Sequence, residues 1–273
     1  MKRSQSAVNR REGSISEAQL AFVKAHKKRT KKITICQIII LFVFIAAWEI
    51  LTDLKIMNAF AFSSPSRIVK TFIEMTEGGV IFYHIGITLF ETFISFSLVI
   101  GIGMVTAILL WWNDSIAKIL DPYLVVLNSL PKSALAPLFI VWLGNNMKTI
   151  IVAAVSVAVF GSILNLYTDF KEVEEDKIKL IRTLGGNKKD ILFKVVIPSN
   201  IPSILSIMKV NIGLSLVGVI IGEFLAARAG LGYLIIYGSQ VFKLDWVMMS
   251  IVILCIIATG LYGILAVIEK RFR

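Results

Sequence analysis

Cysteine, histidine and proline are scarce in this chain, which has two, two and six of them among 273 residues. Cys36 and Cys255 both lie inside apolar stretches without metal-ligand or redox spacing, so a disulfide framework is not supported. We interpret them as small hydrophobic side chains. His26 and His84 lie far apart, and no His/Glu or Asp/Asp pair at helical spacing falls within an apolar stretch. A metal site is therefore not predicted, and a membrane-embedded enzyme ranks last among the functional classes.

Acidic residues are also few, since 18 Asp and Glu stand against 29 Lys and Arg, a formal net charge of +11. A basic protein that binds nucleic acid concentrates its charge on one folded face, whereas here the charge lies in short stretches between apolar blocks. Hydrophobic residues make up 56% of the chain and the mean hydropathy is +0.80; soluble domains have about 45–50% apolar residues. The partner indicated is a lipid bilayer and not nucleic acid.

Six apolar blocks meet or approach the length of about 20 residues that crosses the ~30 Å core of a bilayer. They cover residues 33–51, 85–112, 122–147, 149–168, 203–224 and 246–268. No small-residue cleavage site follows the first block, so we interpret it as a retained helix and not as a signal peptide. The prediction is an all-α membrane protein with six transmembrane helices.

Lys and Arg in the connections predict the orientation of these helices. Residues 1–32 contain ten, 169–202 contain seven, the C-terminal tail contains three, and Lys118 lies in the link after the second block. Only six lie on the opposite side. Because positive loops stay in the cytoplasm, both termini are predicted to be cytoplasmic.

Two polar regions precede the second block. The basic arm 1–32 has no clear apolar period, and we predict a disordered cytoplasmic tail ahead of a membrane domain over 33–273; a regulatory role or attraction to anionic headgroups stays open.

In the first outer loop, Ser63-Ser64-Pro65 is typical of a helix start. The apolar residues that follow at helical spacing are Ile68, Phe72 and Met75. They predict a short helix on the outer membrane face, with a simple spacer as the alternative.

The long polar connection 169–202 carries the main functional signal. The apolar side of its first helix consists of Ile178, Leu180, Ile181 and Leu184. Gly185-Gly186 then ends that helix. Asn187 caps a second helix, with Asp190 three residues on, and it runs to about Val196. The two prolines that follow, Pro198 and Pro202, disfavour continuation. A helix–glycine–helix unit joined to two spans suits a protein that receives motion from a cytoplasmic motor; an amphipathic loop on the headgroups is the alternative.

This segment resembles the cytoplasmic loop of ABC-importer permeases, whose pattern is Glu-Ala-Ala, three residues, Gly, nine residues, Ile, one residue, Leu-Pro. Gly185 and Pro198 match at that spacing, and Val195 and Ile197 are conservative replacements. Lys179-Leu180-Ile181 replaces Glu-Ala-Ala, which leaves the hinge intact. The resemblance implies that the residues coupled to the ATPase are Lys179, Leu180, Ile181, Leu184, Gly185, Val195, Ile197 and Pro198.

Other stretches are similar to the nitrate, sulfonate and taurine permeases of that family, over roughly residues 40–270. They are 128–138 with its continuation 142–144, 63–66, and Glu223 followed by 230–232. One departure is Glu91, where that branch often carries a basic residue. The resemblance implies import of a small solute, either a nitrate-, sulfonate- or taurine-like anion or a vitamin precursor, across a prokaryotic cell membrane.

The partners implied are a second permease subunit in a homodimer, ABC ATPase subunits and an extracellular solute-binding protein. No Gly-x-x-x-x-Gly-Lys-Ser/Thr loop occurs, so ATP and Mg²⁺ are expected in the partner and no cofactor on this chain. A channel or carrier without a motor is the alternative, and its cytoplasmic loop would tolerate scrambling.

Ionisable groups within the blocks are costly unless they line water or find partners. Lys132 lies between Pro131 and Pro137, and irregular backbone is tolerated where it lines a cavity. The candidates for the translocation path are Asn128, Lys132, Glu91 and Glu223. The alternatives are a structural pair of Lys132 with either glutamate, and an interfacial carboxylate at Glu223. Lys209 is predicted to snorkel to the cytoplasmic interface, and Glu49 to mark the outer end of the first span.

Overall fold

The computed structural model describes residues 17–272, and all regular secondary structure within them is helical. The chain forms two compact units, Met1–Ser66 and Arg67–Arg273. The helices up to the first outer loop are α1 Glu17–Asp53, α2 Ala59–Phe62 and α3 Pro65–Glu77. Those that follow are α4 Val80–Trp112, α5 Asp114–Ser129, α6 Lys132–Leu143, α7 Met147–Lys171, α8 Glu175–Thr183, α9 Lys188–Ile191, a π-helical turn Leu192–Val196, α10 Ile197–Ser199, α11 Ile201–Ala226, α12 Leu231–Gln240 and α13 Leu244–Phe272.

Within residues 17–272, five helices are long and apolar enough to cross a membrane: α1 from Lys28, α4, α7, α11 and α13. The sixth predicted span corresponds to α5 and α6, which meet at an angle of 93°. Proline disfavours helical backbone in the residue before it, and Leu130, before Pro131, is extended with ψ 141°. The prediction of an irregular third span is confirmed, but a single helix over 122–147 is wrong.

The first unit contains one long helix. α1 begins at Glu17, so the prediction of disorder up to residue 32 is wrong for residues 17–32, and residues 1–16 lie outside the described ones. Residues 17–32 contain three Ala and five Lys, which are strong helix formers. Near the other end of α1, Glu49 accepts hydrogen bonds from the Ser66 amide at 3.0 Å and the Ser66 hydroxyl at 2.6 Å. The predicted helix start at Pro65 is confirmed.

The core of the second unit lies where α7 packs against α4 and α11. Small residues permit this contact, since a Cβ on Gly218 would lie 2.6 Å from the Ala154 Cα and one on Gly103 would lie 2.8 Å from the Ser162 hydroxyl. Gly101 and Gly213 have open space around them. Gly103 and Gly218 therefore allow the close packing of these helices.

Gly218→Ala is expected to destabilise the protein by about 1–3 kcal/mol, because the new methyl group meets backbone atoms of α7 and the two helices must separate. Gly213→Ala on the same helix is the matched control and should stay within about 0.5 kcal/mol of the wild type. Thermal unfolding of the purified proteins in one detergent measures both. Equal midpoints for the two variants would show that the α7–α11 contact does not depend on Gly218.

The C-terminal helix is held by an ion pair in place of the predicted snorkelling of Lys209. The Lys209 ammonium lies 2.5 Å from the Glu269 carboxylate on α13, with side-chain exposures of 13% and 12%. The Tyr262 ring lies 5.7 Å from the same ammonium. Lys209 therefore joins α11 to α13.

Candidate coupling segment and buried carboxyl pair

The first half of the segment 169–202 ends in an exposed tip. α8 stops at Thr183, and Gly185 follows in left-handed backbone with φ +80°. The Gly186 amide donates to the carbonyl of Ile181, five residues earlier, at 2.9 Å. This bond is typical of a helix that ends at a glycine in left-handed backbone. Leu184 at the tip is 74% exposed. A large apolar side chain thus stands in solvent where two short helices meet.

The second half begins with a complete capping box. The Asn187 side chain accepts from the Asp190 amide and the Asp190 carboxylate accepts from the Asn187 amide, both at 3.0 Å. This reciprocal pair satisfies two helix-terminal donors. A hydrogen bond from Lys194, with a second from the Asn187 amide, holds the pKa of Asp190 below its ordinary value. The cap therefore stays ionised at neutral pH.

The second helix does not end at the prolines, which corrects the predicted break after Val196. A π-helical turn over Leu192–Val196 leads into α10, and only Asn200 separates α10 from the membrane helix α11. The Ile197 amide donates to the Leu192 carbonyl five residues back. This wider turn takes up one extra residue just before Pro198, which has no N–H to donate. The segment is therefore almost continuous with α11.

The second helix is also fastened to the bundle. Ile191, Leu192 and Val196 are buried in a cluster with Leu166 and Phe170 of α7. The Lys188 ammonium donates to the Trp112 carbonyl at 2.5 Å and lies 5.6 Å from the Trp111 ring centroid. One side of the segment is thus fixed on α4 and α7, and the other side presents the tip.

The predicted coupling residues divide between these two sides. Those that are exposed are Lys179, Leu180, Leu184, Gly185 and Pro198, and those that are half-buried are Ile181, Val195 and Ile197. Lys179, at the position of the missing family glutamate, pairs with Glu175 at 3.3 Å and Asp176 at 3.5 Å on its own helix. The tip is therefore apolar, with intrahelical charge pairs beside it.

At the other end of the second unit, side chains from α4 and α11 cap the N-terminus of α12. The Gly230 amide donates to His84 Nδ1 at 2.9 Å, the Leu231 amide to the Thr88 hydroxyl at 2.8 Å, and the Gly232 amide to Glu223 Oε2 at 2.5 Å. The first amides of a helix have no partner within it. Three helices are thereby joined through three hydrogen bonds.

Glu223 is the centre of this arrangement. It is 1% exposed, and its other oxygen accepts from the Thr88 hydroxyl at 2.7 Å. The interpretation of Glu223 as an interfacial carboxylate is therefore wrong. Gly230, with φ +117°, leaves room for the carboxylate, and a Cβ there would overlap it.

Glu91 lies in contact with Glu223 and is 2% exposed. Its Oε2 has no hydrogen-bond partner among the described residues. The structure thus brings two of the four candidate path residues together, but inside the helix bundle and among helix-capping groups.

The other two candidates lie together elsewhere. The Lys132 ammonium donates to the Asn128 carbonyl across the bend between α5 and α6. Lys132 also lines a cavity of about 470 Å³ whose other lining residues are mostly apolar. Among residues 17–272, no ion pair joins Lys132 to either glutamate, so the alternative of a structural pair is wrong.

His84 and Thr88 were not among the sequence candidates. A signal for them exists, because buried polar side chains recur along α4 at helical spacing: His84, Thr88, Glu91, Thr92 and Ser95. Such a row in an apolar helix marks a face that packs against other polar groups.

A bundle of apolar helices with a bent helix pair and an exposed helix–glycine–helix segment is the architecture of a multi-pass membrane protein. Residues 99–273 match the family of binding-protein-dependent transport system inner membrane components. The chain belongs to this family and is a permease component of the inner membrane.

Relatives and solved structures agree with that membership. The chain is 30% identical to the formylaminopyrimidine transport permease of Halalkalibacterium halodurans, over 68% of this chain and 74% of the relative. It is 26% identical to a putative aliphatic sulfonates transport permease of Bacillus subtilis, over 84% and 83%. An inward-facing methionine ABC transporter has the same fold, with a TM-score of 0.63, 18% identity and coverage of 72% of this chain and 98% of that chain.

Proposed function

We propose that this permease is driven by ATP hydrolysis in a separate subunit, which contacts the segment 169–202 from the cytoplasm. The observation that carries this proposal is the two-sided segment, buried against α4 and α7 on one side and exposed at Leu184 on the other. Because α10 and α11 are nearly continuous, a displacement of the tip is transmitted to the membrane helix α11. An amphipathic loop on lipid headgroups needs no such attachment.

The orientation follows from the same assignment. Both termini are cytoplasmic, and the outer end of the second unit holds the capped N-terminus of α12. The complex contains two copies of this chain, two ATPase subunits and an external binding protein that delivers the solute. The basic residues that precede and follow the apolar helices support this orientation.

Co-purification tests the proposal. The tagged protein, extracted in mild detergent, is expected to bring along an ATPase with a phosphate-binding loop, identified by mass spectrometry. A stable protein that purifies alone, and that stimulates no candidate ATPase, would support a channel or carrier without a motor.

The solute is proposed to pass the cavity beside Lys132. Related permeases are named for aliphatic sulfonates and for taurine, both of which carry a sulfonate anion. A lysine at the rim of an apolar cavity offers a charge for such a group and an apolar surface for its carbon chain. A vitamin precursor without an anionic group would use the apolar surface alone.

Lys132→Ala is expected to reduce uptake of a sulfonate by about ten- to a hundredfold, because one charge-assisted hydrogen bond of about 1.5–3 kcal/mol is lost. Uptake by the reconstituted complex measures this. The exposed Lys148→Ala is the control and should transport normally. Unchanged uptake in Lys132→Ala would remove Lys132 from the path.

A further inference from the structure

The hydrogen bonds around Glu223 favour its ionised form. Both of its oxygens accept, one from the Thr88 hydroxyl at 2.7 Å and one from the Gly232 amide at 2.5 Å. It also lies at the N-terminus of α12, where the helix dipole stabilises an anion. A carboxylate is an acceptor-only group, so these contacts fit an ionised Glu223.

Glu91 is in the opposite situation. Its Oε2 is buried with no donor among the described residues, and its carboxyl group contacts that of Glu223. A second negative charge at this position would be both unsolvated and repelled by the first. A neutral carboxylic acid, in contrast, has an O–H to donate to Glu223.

Among the described residues, the helices packed around this site supply no positive charge that could compensate a second carboxylate. His84 accepts from the Gly230 amide at Nδ1 and is therefore a neutral imidazole with its hydrogen on Nε2. On α12, the titratable residue beside His84 is Tyr233, with its ring stacked on the imidazole at 6.0 Å. Residues 149–168 of α7 contain no charged side chain, and Lys132 on α6 lines the separate cavity.

We propose that Glu91 and Glu223 form a proton-binding site in the interior of each permease subunit, with one proton carried by Glu91 and donated to Glu223. The bound proton neutralises Glu91 and so removes the repulsion between the two carboxyl groups. It thereby allows α4 to pack against α11. Because Glu223 also caps α12, the same proton keeps the outer helix α12 docked.

A row of buried hydroxyl groups continues from this site toward the other end of the bundle. Thr92, Ser95 and Ser215 are each at most 1% exposed and have no hydrogen-bond partner among the described residues. Further along, the Asn211 amide donates to the Ser162 hydroxyl at 2.9 Å, at the level of Gly103. From His84 to Gly103 the row extends about 28 Å at the rise of an α-helix. One face of α4 is therefore polar along most of the length of the bundle.

Infrared spectroscopy of the purified protein tests the site without any transport measurement. At about pH 7, where an ordinary glutamate is ionised, the wild type should show the C=O stretching band of a buried carboxylic acid. Glu91→Gln should lose that band, because the neutral amide replaces the protonated acid at nearly the same size. Glu49→Gln removes a carboxyl group that accepts two hydrogen bonds from Ser66 and should leave the band in place.

Absence of the band from the wild type, or its persistence in Glu91→Gln, would overturn the proposal. If Glu91→Gln fails to fold, Glu223→Gln serves instead, and it should keep the Glu91 band at a shifted frequency because the hydrogen-bond partner changes. Loss of the band in Glu223→Gln would likewise contradict the assignment of the proton to Glu91. Since no ATPase or solute takes part, failure here leaves the proposed import function untouched, and failure of co-purification leaves this site untouched.

Discussion

Gly230→Ala is expected to be one of the most damaging single substitutions in the chain, although it adds only one methyl group. Gly230 has φ +117°, a backbone conformation that costs an L-residue about 1–3 kcal/mol. Its Cβ would also overlap the Glu223 carboxyl group, so the buried carboxylate must move away from its donors, at a further cost of about 1–3 kcal/mol. The free energy of unfolding should fall by about 3–5 kcal/mol, with a thermal midpoint about 10 °C lower.

Gly86→Ala provides the control for this substitution. Gly86 lies on α4, two residues from His84, and a methyl group added there would have nothing within 4 Å. Alanine is a better helix former than glycine by about 1 kcal/mol, so this variant should unfold at the same temperature or higher. If Gly230→Ala matched Gly86→Ala in thermal unfolding, the docking of α12 on Glu223 would not contribute to stability.

Local signals explain why the coupling segment could be predicted from the sequence. A glycine pair ends the first helix, and Asn187 with Asp190 begins the next one; each of these effects acts over a few residues. The structure confirms both boundaries. The error after Val196 has a local cause too, since a π-helical turn accommodates Pro198 and the rule that proline ends a helix does not foresee it.

The buried carboxyl pair is a different case. Glu91 and Glu223 are 132 positions apart, and Glu223 accepts from the Gly232 amide of α12, which no spacing rule connects to α4. Taken alone in the sequence, each glutamate is a candidate for the translocation path, and Glu223 could equally be an interfacial carboxylate. Only the packing of α4 against α11 shows that they share one buried site. The row of polar residues on α4 at intervals of three and four is the available clue, and it indicates a polar face without identifying the partner.

The number of membrane helices was predictable because hydropathy reflects the thickness of the bilayer. The bend between α5 and α6 was predictable as an irregularity from Pro131, but its angle was not, because packing against other helices determines the angle of such a bend. The early start of α1 was missed since its first half lacks an apolar period, while helix propensity alone favours it.

Gly185→Val is expected to abolish coupling while leaving the membrane bundle intact. The structure shows open space around Gly185, so crowding by the valine side chain is not the cause. The damage comes from the backbone, because φ +80° is a left-handed conformation that a β-branched residue rarely adopts. The tip would refold locally, and Leu184 would leave its position at a cost of about 1–3 kcal/mol. Solute-stimulated ATP hydrolysis in the reconstituted complex should fall by about tenfold or more.

Gly185→Asn separates the backbone effect from the presence of a side chain. Asparagine tolerates left-handed backbone and ends helices as glycine does, so this variant should keep most of the stimulated hydrolysis. Both variants should insert and unfold like the wild type, because the buried residues Ile191, Leu192 and Val196 fasten the segment independently of its tip. If valine and asparagine reduced hydrolysis equally, the tip would act through direct contact at residue 185. If neither reduced it, the segment would not be the point at which the motor acts on this permease.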